Sequence, residues 1–162
     1  MTDVTISVLP PAPLFALEIW GNGTAVAQRL EQVLGAKLPA TGSSVQTATA
    51  RLIRYEPTVW LVEGETAGLA DALGPDGSLT AIGGGVVRVR LSGAGWRSLL
   101  MEHGVFDAES PEFAAGCSAA TLIDQVNVRL LVESETSCLA FVPRSYAHDM
   151  LHFWQAASET LP

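Results

Sequence analysis

The sequence predicts an α+β protein built as two ferredoxin-like halves packed together, and three observations carry that expectation. Short apolar runs bounded by Gly, Pro, Asn and Asp alternate with stretches of helical period. Each half then reads in one order: strand, Gly-x-Gly, helix, loop, strands, helix. Two stretches also line up between the halves. Ile19-Trp20-Gly21-Asn22-Gly23 answers to Leu91-Ser92-Gly93-Ala94-Gly95, and Val59-Trp60-Leu61-Val62 answers to Cys138-Leu139-Ala140-Phe141-Val142. The 162 residues fit one domain by the usual size of roughly 100 to 200 residues, with halves at about 14–82 and 86–158.

In chain order, residues 1–13 carry Pro10, Pro11 and Pro13 and read as a flexible start. Leu14 to Trp20 is a strand that ends at Gly21-Asn22-Gly23. Thr24 then caps a helix whose Val26, Leu30, Val33 and Leu34 share a face, and Gly35 closes it in a left-handed turn. Pro39 to Thr49 is small and polar and reads as a loop. Ala50 to Glu56 and Thr58 to Glu63 are strands parted by Pro57, Glu65 to Leu73 is a short helix closed by Gly74, and Asp76-Gly77 marks a tight turn.

The second half starts with the short apolar piece Leu79 to Ile82 and the triplet Gly83 to Gly85, a turn between the halves. Val87, Val89 and Leu91 alternate with Arg88 and Arg90, the pattern of a strand buried on one face. A helix follows through Trp96, Leu99, Leu100 and Met101 and stops at Gly104. Ala119 to Asp124, Asn127 to Glu133 and Ser137 to Val142 read as three strands, the last two joined by a hairpin turn. The final helix, from about Arg144 to Ser158, gathers Tyr146, Met150, Phe153, Trp154 and Ala157 on one face.

Composition excludes some functions. Seventeen acidic against nine basic residues leave a net charge of −8, so a phosphate backbone or an anionic lipid surface is repelled. No apolar run approaches the roughly 20 residues of a membrane span, and Met1 to Pro13 lacks the form of a signal peptide, so a cytoplasmic protein is expected. Cys117 and Cys138 lack a CxxC spacing and read as reduced, buried thiols. Hydrophobic residues make up 48% of the chain and charged ones only 16%, which points to a surface covered by another chain.

No motif amounts to a catalytic, cofactor-binding or metal site. His148 and His152 stand four apart in an HExxH-like run with Asp149 for Glu. Two histidines on a solvent-facing or subunit-facing helix side explain them better than zinc, since no third ligand follows. Gly93-Ala94-Gly95 lies where a phosphate-binding loop would, but Ser98 replaces the third glycine and Arg88 and Arg90 half-expose the strand. That turn needs glycine for its geometry. Most of the four tryptophans belong in the core, with one or two as contact anchors. Trp60 and the run Arg144-Ser145-Tyr146 are the interface candidates, because aromatic residues and arginine are enriched where proteins meet.

Several segments together resemble the gamma subunit of heterotetrameric sarcosine oxidase, from about Phe15 to Ala157. They are Val87-Arg88-Val89-Arg90-Leu91-Ser92-Gly93, Cys117-Ser118-Ala119-Ala120-Thr121-Leu122, and Phe141-Val142-Pro143-Arg144-Ser145-Tyr146-Ala147 with Phe153-Trp154. Leu34 to Pro39 and Trp60-Leu61-Val62 are similar to landmarks of the first half. The resemblance implies a fold related to the folate-binding domain of the glycine-cleavage aminomethyltransferases. It also implies a non-catalytic subunit packed against a large alpha subunit in an assembly with beta and delta chains, where FAD, FMN, NAD and tetrahydrofolate sit in the other subunits. Thr58-Val59 replaces the acidic pair common before the first-half tryptophan, and the glycine triplet replaces a segment that often holds aspartate. Both departures argue against a folate site in this chain. A stand-alone folate or one-carbon-binding protein of the same fold is the alternative.

Overall fold

The computed structural model describes residues 3–161, and among them ten strands form two five-stranded antiparallel sheets. The chain divides at Pro11/Ala12 and Gly83/Gly84 into two compact units. Ala12–Gly83 is inserted into the other unit, between its first strand and the rest of it.

The flanking unit begins with β1 (Thr5–Val8), which corrects the expectation of a flexible start. The inserted unit then supplies β2 (Leu14–Ile19), α1 (Gly23–Leu34), β3 (Ser43–Gln46), β4 (Ala50–Arg54), β5 (Val59–Gly64), α2 (Leu69–Leu73) and β6 (Gly77–Ala81). Back in the flanking unit come β7 (Val86–Ser92), α3 (Trp96–Met101), β8 (Ser118–Ile123), β9 (Val126–Ser134), β10 (Ser137–Pro143) and α4 (Ala147–Ser158).

The inserted sheet runs β3-β4-β5-β2-β6 and the flanking sheet runs β8-β9-β10-β7-β1. Position for position these are the same topology: first strand, helix, edge strand, central hairpin, helix, last strand. Without β3, the inserted unit is a ferredoxin-like βαββαβ fold. The flanking unit is its permuted copy, because the strand that should follow α4 is supplied from the N-terminus as β1. Thr5 pairs with Ser92 and Val8 with Val89, while Val4 and Ile6 pack on the unit's core.

Each unit has its own apolar core between sheet and helices. In the inserted unit Leu17, Leu52, Trp60 and Val62 of the sheet meet Val26 and Leu30 of α1 and Leu69 and Leu73 of α2. In the flanking unit Val89, Leu91, Leu130 and Ala140 meet Trp96 and Leu99 of α3 and Met150 and Trp154 of α4. Alternation explains which strand residues turn inward. Arg90, on the opposite face of β7 from Val89 and Leu91, forms a two-pronged pair with Glu133 at 2.7 and 3.0 Å.

Several boundaries move. The stretch expected as a loop at 39–49 contains β3, an edge strand of polar residues whose register, Ser43 to Arg54, is set by β4. Helix α1 starts at Gly23 with left-handed Asn22 at its cap in place of Thr24, and the Asn22 amide donates to Asp76 Oδ1 at 2.9 Å. Gly35 closes α1 in a left-handed turn, as expected. Helix α2 shortens to Leu69–Leu73 because left-handed Gly68 precedes it. The turn at Asp76-Gly77 is the end of a 3₁₀ turn that feeds β6, and Arg144–Tyr146 form a 3₁₀ turn ahead of α4. Cys138 is buried, but Cys117 is only half-buried, its thiol donating to the Glu112 carbonyl at 3.3 Å.

Candidate functional site

A cleft lies within the inserted unit and follows from the spacing of α1. Gly23, Ala27 and Glu31 recur every four residues, so they fall on one side of the helix. The facing wall is the turn between β4 and β5, with Arg54, Pro57 and Thr58, and Trp60 just inside β5. Ile19, Trp20, Gly21 and Asn22 close one end and Leu38 lies along the wall, enclosing about 500 Å³. The small side chains of Gly23 and Ala27 leave this space open.

Its charged groups are already engaged. The Leu38 amide donates to Glu31 Oε1 at 3.1 Å. Arg54 donates to the carbonyls of Pro39, Glu56 and Pro57, and its guanidinium lies 4.5 Å over the Trp60 ring. Trp60 is 4% exposed and its indole N–H has no hydrogen-bond partner. Trp60, an interface candidate from the sequence, packs in the core of the inserted unit and backs the cleft wall.

The exposed indole is Trp20, at 61%. Its Nε1 donates to the Pro75 carbonyl at 3.1 Å, and the backbone amides of Trp20 and Gly21 donate to the Asp76 carbonyl. The ring is fixed at its polar edge and presents hydrocarbon to solvent. The sequence places most of the tryptophans in the core and does not single out Trp20 as exposed. What marked Trp20 was its place beside Gly21-Asn22-Gly23, past the last strand residue that could turn inward.

Arg144, Ser145 and Tyr146 are exposed together in the flanking unit, as expected for a patch, and Tyr146 is 52% exposed. Arg144 Nε donates to the Gly84 carbonyl. His148 and His152 are exposed on α4, and among the described residues no three His, Cys, Asp or Glu side chains gather where they could hold a metal ion. At the glycine turn, Gly93 has φ 108°, and a Cβ there would come 2.4 Å from the Asp3 carbonyl oxygen. Gly95 N–H donates to that same oxygen at 2.9 Å. This turn holds the approach to β1.

Two five-stranded antiparallel sheets with few helices, repeated in one topology, define the class of the chain: the α+β fold of the aminomethyltransferase type. It matches aminomethyltransferase T of the glycine cleavage system from Bartonella henselae with a TM-score of 0.70 and 15% identity, over 97% of this chain and 46% of that one. A chain of the heterotetrameric sarcosine oxidase from Corynebacterium sp. U-96 matches with a TM-score of 0.83 and 20% identity, over 96% of this chain and 84% of that one. The sequence model of the sarcosine oxidase gamma subunit family matches residues 20–160, and the chain belongs to that family. No curated protein is matched by the sequence. The family match favours a gamma subunit over a stand-alone folate-binding protein. Among the described residues no helix is long and apolar enough to cross a membrane.

Proposed function

We propose that this chain packs against the large alpha subunit of a heterotetrameric sarcosine oxidase, or of a related demethylating oxidase, in an assembly completed by beta and delta chains. In this reading FAD, FMN, NAD and tetrahydrofolate are carried by the other subunits, and the assembly works in the cytoplasm. The observation that carries the reading is the gamma-subunit family match over residues 20–160. Surface chemistry supports it: Trp20 and Tyr146 are more than half exposed, and buried aromatic anchors dominate the energetics of protein contacts. Arg144, Ser145 and Tyr146 supply one candidate contact patch.

The test is affinity purification of the tagged chain from its native cell, with mass spectrometry of the co-purifying chains and a visible spectrum of the eluate. Recovery of large chains with flavin absorbance and sarcosine-dependent oxygen consumption is expected. A colourless single chain that binds tetrahydrofolate saturably would overturn the reading and restore the stand-alone alternative.

A further inference from the structure

Between the first helix and the edge strand that follows it, the two units are built differently. In the inserted unit the link is the short run 35–42, whereas in the flanking unit it is 102–117, about twice as long. That longer loop is held from inside. Arg97 donates to the Ala108 and Phe113 carbonyls, and the Ala108 amide donates to Met101 Sδ at 3.3 Å. Phe113 meets Phe106 edge-on with ring centres 4.8 Å apart, and Trp96 at 6.4 Å. His103, in the left-handed region at φ 54°, turns the chain back so that Gly104 bridges Ile123 and the Val105 amide donates to the Leu122 carbonyl at 3.3 Å. Val105 and Leu122 thus stand opposite each other on one face, exposed at 77% and 41%. Among the described residues no large apolar side chain is more exposed than Val105.

The charge of this corner is one-sided. The stretch Ser98 to Val128 holds Glu102, Asp107, Glu109, Glu112 and Asp124 and neither lysine nor arginine. All five acids are exposed, and among the described residues none meets a lysine or arginine; Glu63, Asp76 and Glu133 elsewhere pair with Arg51, Arg29 and Arg90. Glu102, Asp107 and Asp124 lie within three residues of Val105 or Leu122. The one histidine of the stretch, His103, has Nδ1 3.8 Å from Asp124. Of the bordering arginines, Arg97 is turned to the loop's carbonyls, and Arg129 lies opposite Ala120 in β9, on the other side of β8 from the loop.

We propose that this corner of the flanking unit docks a surface of the partner subunit whose centre is apolar and whose rim carries lysine or arginine. The inference rests on the subunit reading above. Covering Val105 and Leu122 removes hydrocarbon from water, which favours an apolar centre. The carboxylates around them attract a basic rim and repel an acidic one, so charge selects among apolar partners. Because the loop is already pinned, little of its freedom is lost on contact.

The test co-expresses the tagged chain with the other subunits of its assembly and follows dissociation of the complex on dilution at about 50 and about 300 mM salt. It compares wild type, Val105→Ser, and the triple variant Glu102→Gln/Asp107→Asn/Asp124→Asn; the last change retains a residue type that accepts a left-handed turn. Every substituted position is exposed, and near-UV circular dichroism with thermal melting establishes that each variant is folded. The wild-type dissociation constant is expected to rise several-fold with salt. Val105→Ser should raise it roughly tenfold at both salt levels, and the triple variant roughly tenfold at low salt with the salt response lost. Wild-type affinity and salt response in both folded variants overturn the docking corner and leave the subunit reading intact. A triple variant that keeps the wild-type salt response overturns the basic rim. Failure of the wild-type chain to capture any subunit overturns the subunit reading itself.

Discussion

Cys138 lies in β10 among the apolar residues of the flanking core, and burial pushes its thiol from 9.0 up to about 12. The native state thus keeps the proton through a range in which the unfolded chain has released it. Stability from this source is intact below about pH 9 and falls as pH rises toward 12, at a slope approaching about 1.4 kcal/mol per pH unit. Denaturant unfolding between pH 8 and 11 should show wild type losing stability faster than Cys138→Ala, and parallel curves would refute the assignment. The neutral thiol also predicts that Cys138 resists alkylation at pH 8 until the protein unfolds. At this scale the sequence read well where a side chain's surroundings are local. Gly35 was recognisable as a helix stop because a left-handed residue is needed at a helix end. That Trp20 is exposed and Trp60 buried was not legible locally, because exposure of an indole depends on what the rest of the fold brings over it.

Strand β1 tests the elements. Its four residues pair only with β7, and Val4 and Ile6 ahead of and within it cover part of the flanking core. Deleting residues 1–9 should lower the melting temperature by roughly 5 °C or more and promote aggregation, since a central strand of the sheet becomes a bare edge. An unchanged melting curve would mean that β1 adds nothing to the fold. The same strand explains what the sequence concealed. Alternation exposed β7, and turn signals exposed the β9–β10 hairpin, because both are local patterns. Thr5–Val8 is short and lies next to three prolines, and its partner begins dozens of residues later, so nothing nearby announces a strand. β3 was hidden for another reason: an edge strand of Ser, Val and Gln buries little and carries no apolar rhythm. The cleft was legible only as its parts, the Gly-x-Gly turn, the helix and Pro57. Its openness comes from the small side chains of α1 meeting the β4–β5 turn.

For the whole chain, the two units differ in where their last strand comes from, and this can be altered without touching a core residue. A permuted protein would start at Gly84, run to the C-terminus, pass through a flexible linker of about ten residues to the original N-terminus, and end at Gly83. Both units would then run through their corresponding strands and helices in the same sequence order. It should fold to the native circular dichroism spectrum and melt within roughly 5 °C of wild type. Loss of cooperative melting would show that the insertion is itself required for folding. The insertion also sets an order of events at the ribosome. Thr5 emerges first, yet its partner Ser92 is made 87 residues later (92 − 5), so β1 waits unpaired while the whole inserted unit is synthesised. That unit brings its own two ends together: Ile82 N–H donates to the Leu14 carbonyl at 2.9 Å, and Gly83 lies against the Ala12 carbonyl. Once it has folded, the loop that separates β1 from β7 shrinks from about seventy flexible residues to a short bridge, and the entropy of closing it has already been met. Early completion of the middle of the chain is what makes a strand from its very beginning available to its end.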